Sequence, residues 1–194
     1  MIEIRWHGRG GQGTKTASLL LADIVFNSNK YVQGFPEYGP ERKGAPITAY
    51  NRIDDKKIMI HNNIYNPDMV IIVDPTQIAE KVLYGLKEGG VVIINSSDED
   101  EEIRKQLELS DDIKLYNINA SEISLEHLGA VYPNIPILTA TLMVLNIFGE
   151  QDIRKYMEME ITKKFETKLA VIPGNIACMN NTIEIMKEKY MGGR

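Results

Sequence analysis

Two short stretches of nearly continuous apolar residues constrain the fold of this 194-residue chain more than any other feature. Residues 69–74 read MVIIVD and residues 89–95 read GGVVIIN, and both are rich in β-branched side chains. Because neither stretch has a polar face, each is predicted to be a strand buried on both sides, which is typical of a parallel sheet covered by helices. The sequence therefore predicts an α/β protein.

The rest of the chain alternates between strand-like and helical patterns. This order predicts a Rossmann-like fold, in which a mostly parallel sheet with right-handed crossovers is flanked by helices. The chain becomes helical after residue 133, and we assign the helices of about 137–190 to the same single domain, residues 1–194, because no repeat or long linker intervenes. The other predicted strands are 2–6, 31–35, 46–53 and 113–118, and the predicted helices are 14–28, 76–86 with Thr76 as N-cap, 98–109, 137–149 with Gly149 as the stop, 152–165 and 173–190.

Composition argues against several classes of function. The net charge of −5 is opposite to that of a nucleic-acid surface, so no nucleic-acid partner is expected. The single cysteine, Cys178, cannot supply the four thiolates of an iron–sulfur cluster, and its apolar helical neighbours favour a buried structural thiol. The three histidines lack metal-ligand spacing, so no metal is expected on this chain. No signal sequence or membrane-length apolar stretch is visible, which predicts a cytoplasmic protein without a membrane partner.

A glycine-rich turn follows the first predicted strand. Gly8, Gly10 and Gly13 match the spacing G-x-G-x-x-G, between the predicted strand 2–6 and the predicted helix 14–28. Glycines in such a turn let phosphate oxygens approach the backbone, and the helix directs its first N–H groups at them. The alternative is a tight strand-to-helix packing turn that binds no ligand.

The two commonest ligands of such turns are disfavoured. An NAD site needs an acidic residue at the end of the second strand, where position 33 is Gln and the next acid after Asp23 is Glu37. An ATP-binding Walker sequence needs a lysine directly after its last glycine, and Lys15 does not have that spacing.

A second unusual stretch, FPEYGPERKGAP at residues 35–46, combines prolines with aromatic and charged residues. The prolines stiffen the loop, and such loops suit contacts with a ligand or another subunit. An internal ion-pair cluster of Glu37, Glu41 and Arg42 is the alternative. In either case the loop follows the first helix and is expected close to the glycine turn.

Four stretches, in order, resemble the gamma subunit of the 2-oxoacid:ferredoxin oxidoreductases. They cover roughly residues 2–150. The second of them, YVQGFPEYGPERKGAPITAYNRI, most resembles the sequence of the pyruvate enzyme, and the 2-oxoisovalerate enzyme has a closely related sequence there. The stretches are EIRWHGRGGQGTKTAS, YVQGFPEYGPERKGAPITAYNRI, NPDMVIIVD and PNIPILTATLMVLN.

This resemblance implies a subunit of a larger enzyme that converts pyruvate and coenzyme A into acetyl-CoA and carbon dioxide and reduces ferredoxin. In that family, thiamine diphosphate and magnesium lie between two other chains, and a ferredoxin-like chain carries the iron–sulfur clusters. This chain would bind alpha, beta and delta partners, help to bind coenzyme A and cover the active site, but would not catalyse alone. The sequence agrees, because Asn62–Asn63 and Asn180–Asn181 have no upstream Gly-Asp-Gly, the other half of a thiamine diphosphate magnesium site.

The motifs carry residue roles over from the family. The resemblance implies no catalytic residue here, a turn that offers its amides to a phosphate of coenzyme A, and a loop that faces the partner chains or the coenzyme A channel. The turn residues are Gly8, Gly10, Gly11, Gln12, Gly13 and Thr14, and the loop residues are Phe35, Glu37, Tyr38, Glu41 and Arg42.

Two other functions are the alternatives: a free-standing nucleotide-binding protein, and a structural interface subunit whose glycine turn binds nothing. The sequence leaves open which 2-oxoacid is used, the physiological direction, and whether the isolated chain forms a dimer.

Overall fold

A central six-stranded sheet organises the computed structural model, which describes residues 1–37, 44–79 and 81–192. The strands are β1 (Ile2–Arg9), β2 (Tyr31–Pro36), β3 (Pro46–Asp54), β4 (Met69–Ile72), β5 (Val91–Asn95) and β6 (Lys114–Ile118). They lie in the order β2–β3–β1–β4–β5–β6, in which β1, β4, β5 and β6 are parallel and β3 is antiparallel to both its neighbours. The predicted α/β fold with a mostly parallel sheet is confirmed.

The two apolar runs form the adjacent strands β4 and β5, as predicted. Ile71 pairs with Ile93, and both are fully buried in the larger of two hydrophobic clusters. Val70 and Val92 also pair, but they are buried in a second cluster on the opposite face of the sheet. Since successive side chains of a strand point to opposite faces, these strands are covered on both sides.

Helices cover the two faces of the sheet unequally. Residues of α1, α3, α4, α5 and α6 pack in the larger cluster, whereas α2 contributes Ile103 to the smaller one. A 3-10 turn, Leu169–Val171, precedes α6, and a π-helical turn, Lys187–Met191, follows it. The helices are α1 (Thr14–Phe26), α2 (Asp100–Gln106), α3 (Ala120–Leu128), α4 (Asn134–Leu145), α5 (Glu150–Lys164) and α6 (Ile172–Met186).

The strands β2 and β3 form an antiparallel pair at one edge of the sheet. Only residues 37–45 lie between them, which is too few for the crossover that a parallel pair requires. Consequently the region between α1 and β4 departs from the simple strand–helix alternation that the rest of the parallel sheet follows.

The predicted α-helix over residues 76–86 is wrong. The structure has a 3-10 turn, Pro75–Ala79, and further turns within 82–85. The Arg5 guanidinium donates to the carbonyl oxygens of Val82 and Tyr84, at 2.8 and 2.7 Å, and in an α-helix over 76–86 the Val82 carbonyl would instead accept from the N–H of residue 86. Thr76 is not an N-cap, because it lies inside this 3-10 turn, where its N–H donates to Asp74 Oδ1 at 2.8 Å.

Two further helix boundaries differ from the prediction. Asn146, with a left-handed φ of 51°, ends α4, whereas Gly149 is the N-cap of α5. Helix α3 was not predicted. Its N-cap Asn119 accepts a hydrogen bond from the N–H of Glu122 at 3.2 Å, so the Asn-x-x-Glu spacing resembles a capping box and is a signal that reveals this helix.

The predicted burial of Cys178 is confirmed. Its side chain is fully buried in α6, and burial raises the pKa of the thiol to about 11. The thiol is therefore protonated at neutral pH and belongs to the core. Within the described ranges, no helix has both the length and the apolar character needed to cross a bilayer.

Candidate functional site

The glycine turn joins β1 to α1 with very little space between strand and helix. Gly11 and Gly13 have φ values of 101° and 78°, a region that favours glycine. A Cβ atom on Gly8 would lie 2.0 Å from Thr14 Oγ1, so any other residue at this position would displace the Thr14 side chain at the start of the helix. Thr14 is 2% exposed, and its Oγ1 has no hydrogen-bond partner within the described residues.

Several polar groups of the turn are engaged within the protein. The Gly10 N–H donates to the Ala45 carbonyl at 2.9 Å, and the Gln12 N–H donates to the Arg9 carbonyl at 3.2 Å. The side chain of Gln12 accepts from the Arg9 N–H at 2.9 Å and donates to Asp74. Gly10 and Gln12 therefore hold the shape of the turn, and neither lines the cavity beside it.

Asp74 anchors this arrangement at the carboxyl end of β4. Burial acts to raise the pKa of its carboxyl group, but hydrogen bonds from Thr76 and Gln12 and the charge of Arg9 outweigh it and leave the pKa below the usual value. Asp74 is thus an anion at neutral pH, and the Arg9 Nε lies 3.6 Å from its Oδ2.

A cavity of about 330 Å³ opens beside the turn. We call it the glycine-turn cavity. It lies between the first residues of α1 and α4 and the segment that joins α5 to α6. Its lining includes Gly11, Gly13, Asn134, Lys164, Phe165 and Lys168. Of the six predicted turn residues, the structure thus brings Gly11 and Gly13 to a concave surface, while Gly8 and Thr14 pack against each other beneath it.

The predicted proximity of the proline-rich loop to the glycine turn is confirmed at the base of the loop. The Gly44 N–H donates to the Gly10 carbonyl at 2.9 Å, next to the reciprocal bond from Gly10 to Ala45. Tyr38, Glu41 and Arg42 lie outside the described residues.

Phe35 and Glu37 belong to a different surface from the glycine-turn cavity. The ring centroids of Phe35 and Tyr50 are 5.2 Å apart, and Glu37 Oε2 accepts from the Tyr50 hydroxyl at 3.2 Å. Strand register places Phe35, Tyr50 and Arg5 on the sheet face that carries α2. Phe35 and Glu37 line a separate cavity of about 670 Å³ with His61 and Asn63, so these two loop residues do not share a pocket with Gly11 and Gly13.

The same face carries a buried polar layer that was not predicted. Arg5 is 7% exposed and Arg52 is 1% exposed, and Arg52 Nε donates to Glu3 Oε1 at 2.9 Å. Arg5 Nε donates to His7 Nε2 at 3.0 Å. Burial first, and then the Arg5 charge, lower the pKa of His7 to about 4, although a backbone contact with Val82 opposes them. The alternating sequence IEIRWH is the signal that reveals this layer, because it puts Glu3, Arg5 and His7 on one face of β1.

The described part of the chain contains no group of three or more His, Cys, Asp or Glu side chains placed to hold a metal ion.

Comparisons with known proteins identify relatives over nearly the whole chain. The family model of pyruvate ferredoxin/flavodoxin oxidoreductase matches residues 3–185. The pyruvate synthase subunit PorC of Thermotoga maritima is 38% identical over 186 residues, which cover 96% of this chain and 95% of the relative. The common gamma subunit of the pyruvate/ketoisovalerate oxidoreductases of Thermococcus kodakarensis is 49% identical over 156 residues, covering 80% of this chain and 84% of the relative.

Solved structures agree with these relatives. The crystal structure of the pyruvate oxidoreductase subunit PORC from Thermotoga maritima has a TM-score of 0.80 and 37% identity, and the match covers 94% of this chain and 95% of that one. The 2-oxoglutarate:ferredoxin oxidoreductase of Magnetococcus marinus has a TM-score of 0.72 at 20% identity, so it shows a similar fold alone. This structural match covers 96% of this chain and 31% of the longer Magnetococcus marinus chain.

Proposed function

The chain belongs to the pyruvate ferredoxin/flavodoxin oxidoreductase family as a gamma subunit, and we propose that its role in the assembled enzyme is to help bind coenzyme A and cover the active site. The proposed reaction converts pyruvate and coenzyme A into acetyl-CoA and carbon dioxide and reduces ferredoxin. Thiamine diphosphate, magnesium and the iron–sulfur clusters are assigned to the alpha, beta and delta subunits. One buried cysteine is too few thiolates for a cluster on this chain.

The glycine-turn cavity carries the coenzyme A assignment. Gly13 is the N-cap of α1 and has no side chain to keep a ligand away from the backbone, and the first N–H groups of that helix have no intrahelical acceptor. The cavity volume of about 330 Å³ is enough for part of a cofactor, with the remainder extending toward the partner chains. The Magnetococcus marinus enzyme was solved with coenzyme A and succinyl-CoA bound, and we extend that ligand to this chain as a proposal.

A gamma subunit shared between enzymes of different 2-oxoacids is the second candidate. The Thermococcus relatives are named as common subunits of the pyruvate and ketoisovalerate oxidoreductases. If this chain is shared in the same way, the other subunits select the 2-oxoacid. Phe35 and Glu37, which lie apart from the glycine-turn cavity, are then proposed to face the partner subunits, and they can do so in either enzyme.

Titration of the assembled enzyme with coenzyme A tests the assignment. A Cβ atom on Gly13 would lie 2.8 Å from Asn134 Cγ, so Gly13→Ala disturbs the mouth of the cavity. We expect the KM for coenzyme A to rise by about tenfold or more, with the KM for pyruvate nearly unchanged. Gly149→Ala is the control, because a Cβ atom there meets nothing within 4 Å and φ is −70°. An unchanged coenzyme A KM in a folded, assembled Gly13→Ala enzyme overturns the assignment.

Purification from native cells tests the assembly. We expect this chain to elute with chains that carry thiamine diphosphate and iron–sulfur clusters. A chain that elutes alone and is active alone would instead support a free-standing nucleotide-binding protein.

A further inference from the structure

The C-terminal helices complete the glycine-turn cavity. Lys164 is the last residue of α5, Phe165 is its C-cap, and Lys168 precedes the 3-10 turn before α6. All three line the cavity opposite Gly11 and Gly13. A ligand at the glycine turn therefore also contacts the junction between α5 and α6.

The cavity is positive on two of its sides. The N-terminal ends of α1 and α4 meet there, because a Cβ atom on Gly13 would lie within 2.9 Å of the Cβ of Asn134, the first residue of α4. Neither helix has an acidic residue in its first turn to neutralise its positive end. The charged residues that line the cavity are Lys164 and Lys168, and no ion-pair partner for either occurs within the described residues.

The side chain of Asn134 is an independent observation that points to a ligand, because it is mostly buried and its amide opens onto the cavity. Asn134 is 8% exposed and lines the cavity. No hydrogen-bond partner for its side chain occurs within residues 1–37, 44–79 and 81–192. Its NH₂ group can therefore donate to the oxygen of a ligand that enters the cavity.

The remaining wall is apolar. Phe165, Leu128 and Val171 line the same cavity as the lysines. The chemistry therefore suits a phosphate attached to an organic group, in which the phosphate faces the lysines and helix ends and the organic part lies against the apolar wall.

We propose that Lys164 and Lys168, together with Asn134, are phosphate-binding residues of the glycine-turn cavity, and that the ligand is an organic phosphate. The identification of that ligand as coenzyme A rests on the proposed function. Its chemical class, an organic phosphate, is inferred from the cavity alone. The cations that bind the phosphate therefore come from the α5–α6 junction, in addition to the backbone amides predicted for the glycine-rich turn.

Inorganic pyrophosphate is the probe for the chemical class. The purified full chain is titrated by calorimetry as wild type, as the double variant Lys164→Gln/Lys168→Gln, and as the control Lys163→Gln. Lys163 neighbours Lys164, but it lies outside the cavity, 3.4 Å from Glu160 and with its side chain 71% exposed. We expect the double variant to weaken pyrophosphate binding by at least about tenfold and the control to leave it unchanged.

Equal binding by all three proteins, or no binding by the wild type, overturns the inference. Equal thermal unfolding midpoints establish that the double variant is folded. The assembled enzyme then separates the two proposals. One combination of results would support this inference and overturn the coenzyme A assignment. In it, the double variant binds pyrophosphate more weakly, but the coenzyme A KM is unchanged in the assembled Gly13→Ala and double-variant enzymes. The cavity would then bind an organic phosphate other than coenzyme A.

Discussion

Gln12 donates a side-chain hydrogen bond to Asp74 and thereby ties the glycine turn to the carboxyl end of β4. The same carboxylate accepts from the Thr76 N–H at 2.8 Å, so one anion stabilises both the glycine turn and the 3-10 turn after β4, at the carboxyl ends of the parallel strands. Because Asp74 is only 5% exposed, these hydrogen bonds replace the ones that its carboxylate would form with water in the unfolded chain.

Replacement of Asp74 by Ala is expected to lower the free energy of unfolding by about 1–3 kcal/mol at pH 7, because it leaves buried donors unpaired. The pKa of Asp74 is lowered in the folded protein. Its contribution is therefore present above the unfolded pKa of about 4 and is lost as the pH falls through the folded value. Urea unfolding of wild type and Asp74→Ala between pH 7 and pH 3 measures this, with exposed Asp111→Ala as the control. A difference that does not shrink in acid contradicts the prediction.

His7 is expected to make the folded protein sensitive to mild acid. Its folded pKa of about 4 lies below the value of about 6.5 for an unfolded chain, so between these values only the unfolded state binds the proton. Stability therefore falls as the pH decreases through this window, by about 2–3 kcal/mol in total. His7→Gln removes this part of the pH dependence, whereas exposed His61→Gln retains it. Urea unfolding at pH 6.5 and pH 4.5 compares the three proteins, and an equal pH slope for His7→Gln would exclude the mechanism.

The contact between Gly8 and Thr14 predicts a non-additive pair of substitutions. Gly8→Ala is expected to cost about 1–3 kcal/mol, because the new Cβ meets Thr14 Oγ1 at 2.0 Å and Val73 Cβ at 3.3 Å. Thr14→Ala alone removes a hydroxyl with no described partner and is expected to cost less than about 1 kcal/mol. In the double variant the cost of Gly8→Ala decreases, since the nearest clashing atom is absent. A double-mutant cycle of unfolding free energies measures this coupling, and strict additivity would show that the clash is not local.

The Tyr190 hydroxyl is hydrogen-bonded to the backbone of β6, which is the last strand at its side of the sheet. The Asn117 N–H donates to the Tyr190 hydroxyl at 2.8 Å, and that hydroxyl donates to Asp100 Oδ2 at 3.1 Å. Tyr190→Phe leaves this N–H without an acceptor and is expected to cost about 1–2 kcal/mol. Hydrogen exchange of the Asn117 amide should accelerate, whereas Tyr84→Phe, at a side chain that is 73% exposed, should change neither quantity. Unchanged protection of Asn117 in Tyr190→Phe would mean that the hydroxyl is not its acceptor in solution.

Local sequence was sufficient to predict the parts of the fold that local physics determines. The apolar runs at 69–74 and 89–95 identified β4 and β5, because only a strand buried on both faces tolerates such composition. The spacing of Gly8 and Gly13 identified the turn from β1 to α1, since close strand–helix packing requires glycine there.

Contacts between distant parts of the chain account for what sequence reasoning missed. Arg5 donates to the Val82 carbonyl, which a helix over 76–86 would have used internally, and no local pattern within 76–86 reveals that contact. The wall of the glycine-turn cavity comes from Lys164 and Lys168, roughly 150 positions away from the glycine motif. Such pairings depend on how α5 and α6 pack against α1 and α4, which helical periodicity alone does not specify.

The paired hydrogen bonds between Gly10 and residues 44–45 have a mechanical consequence. Gly10 donates to Ala45 and accepts from Gly44, while the other end of the loop is held where the Glu37 N–H donates to the Thr48 carbonyl at 2.9 Å. Residues 37 and 44–45, which flank the undescribed part of the proline-rich loop, are therefore held by backbone hydrogen bonds to β3 and to the glycine turn. Because the two bonds of Gly10 join the glycine turn to residues 44–45, directly before β3, the backbone of the turn cannot move without moving or breaking its link to that strand.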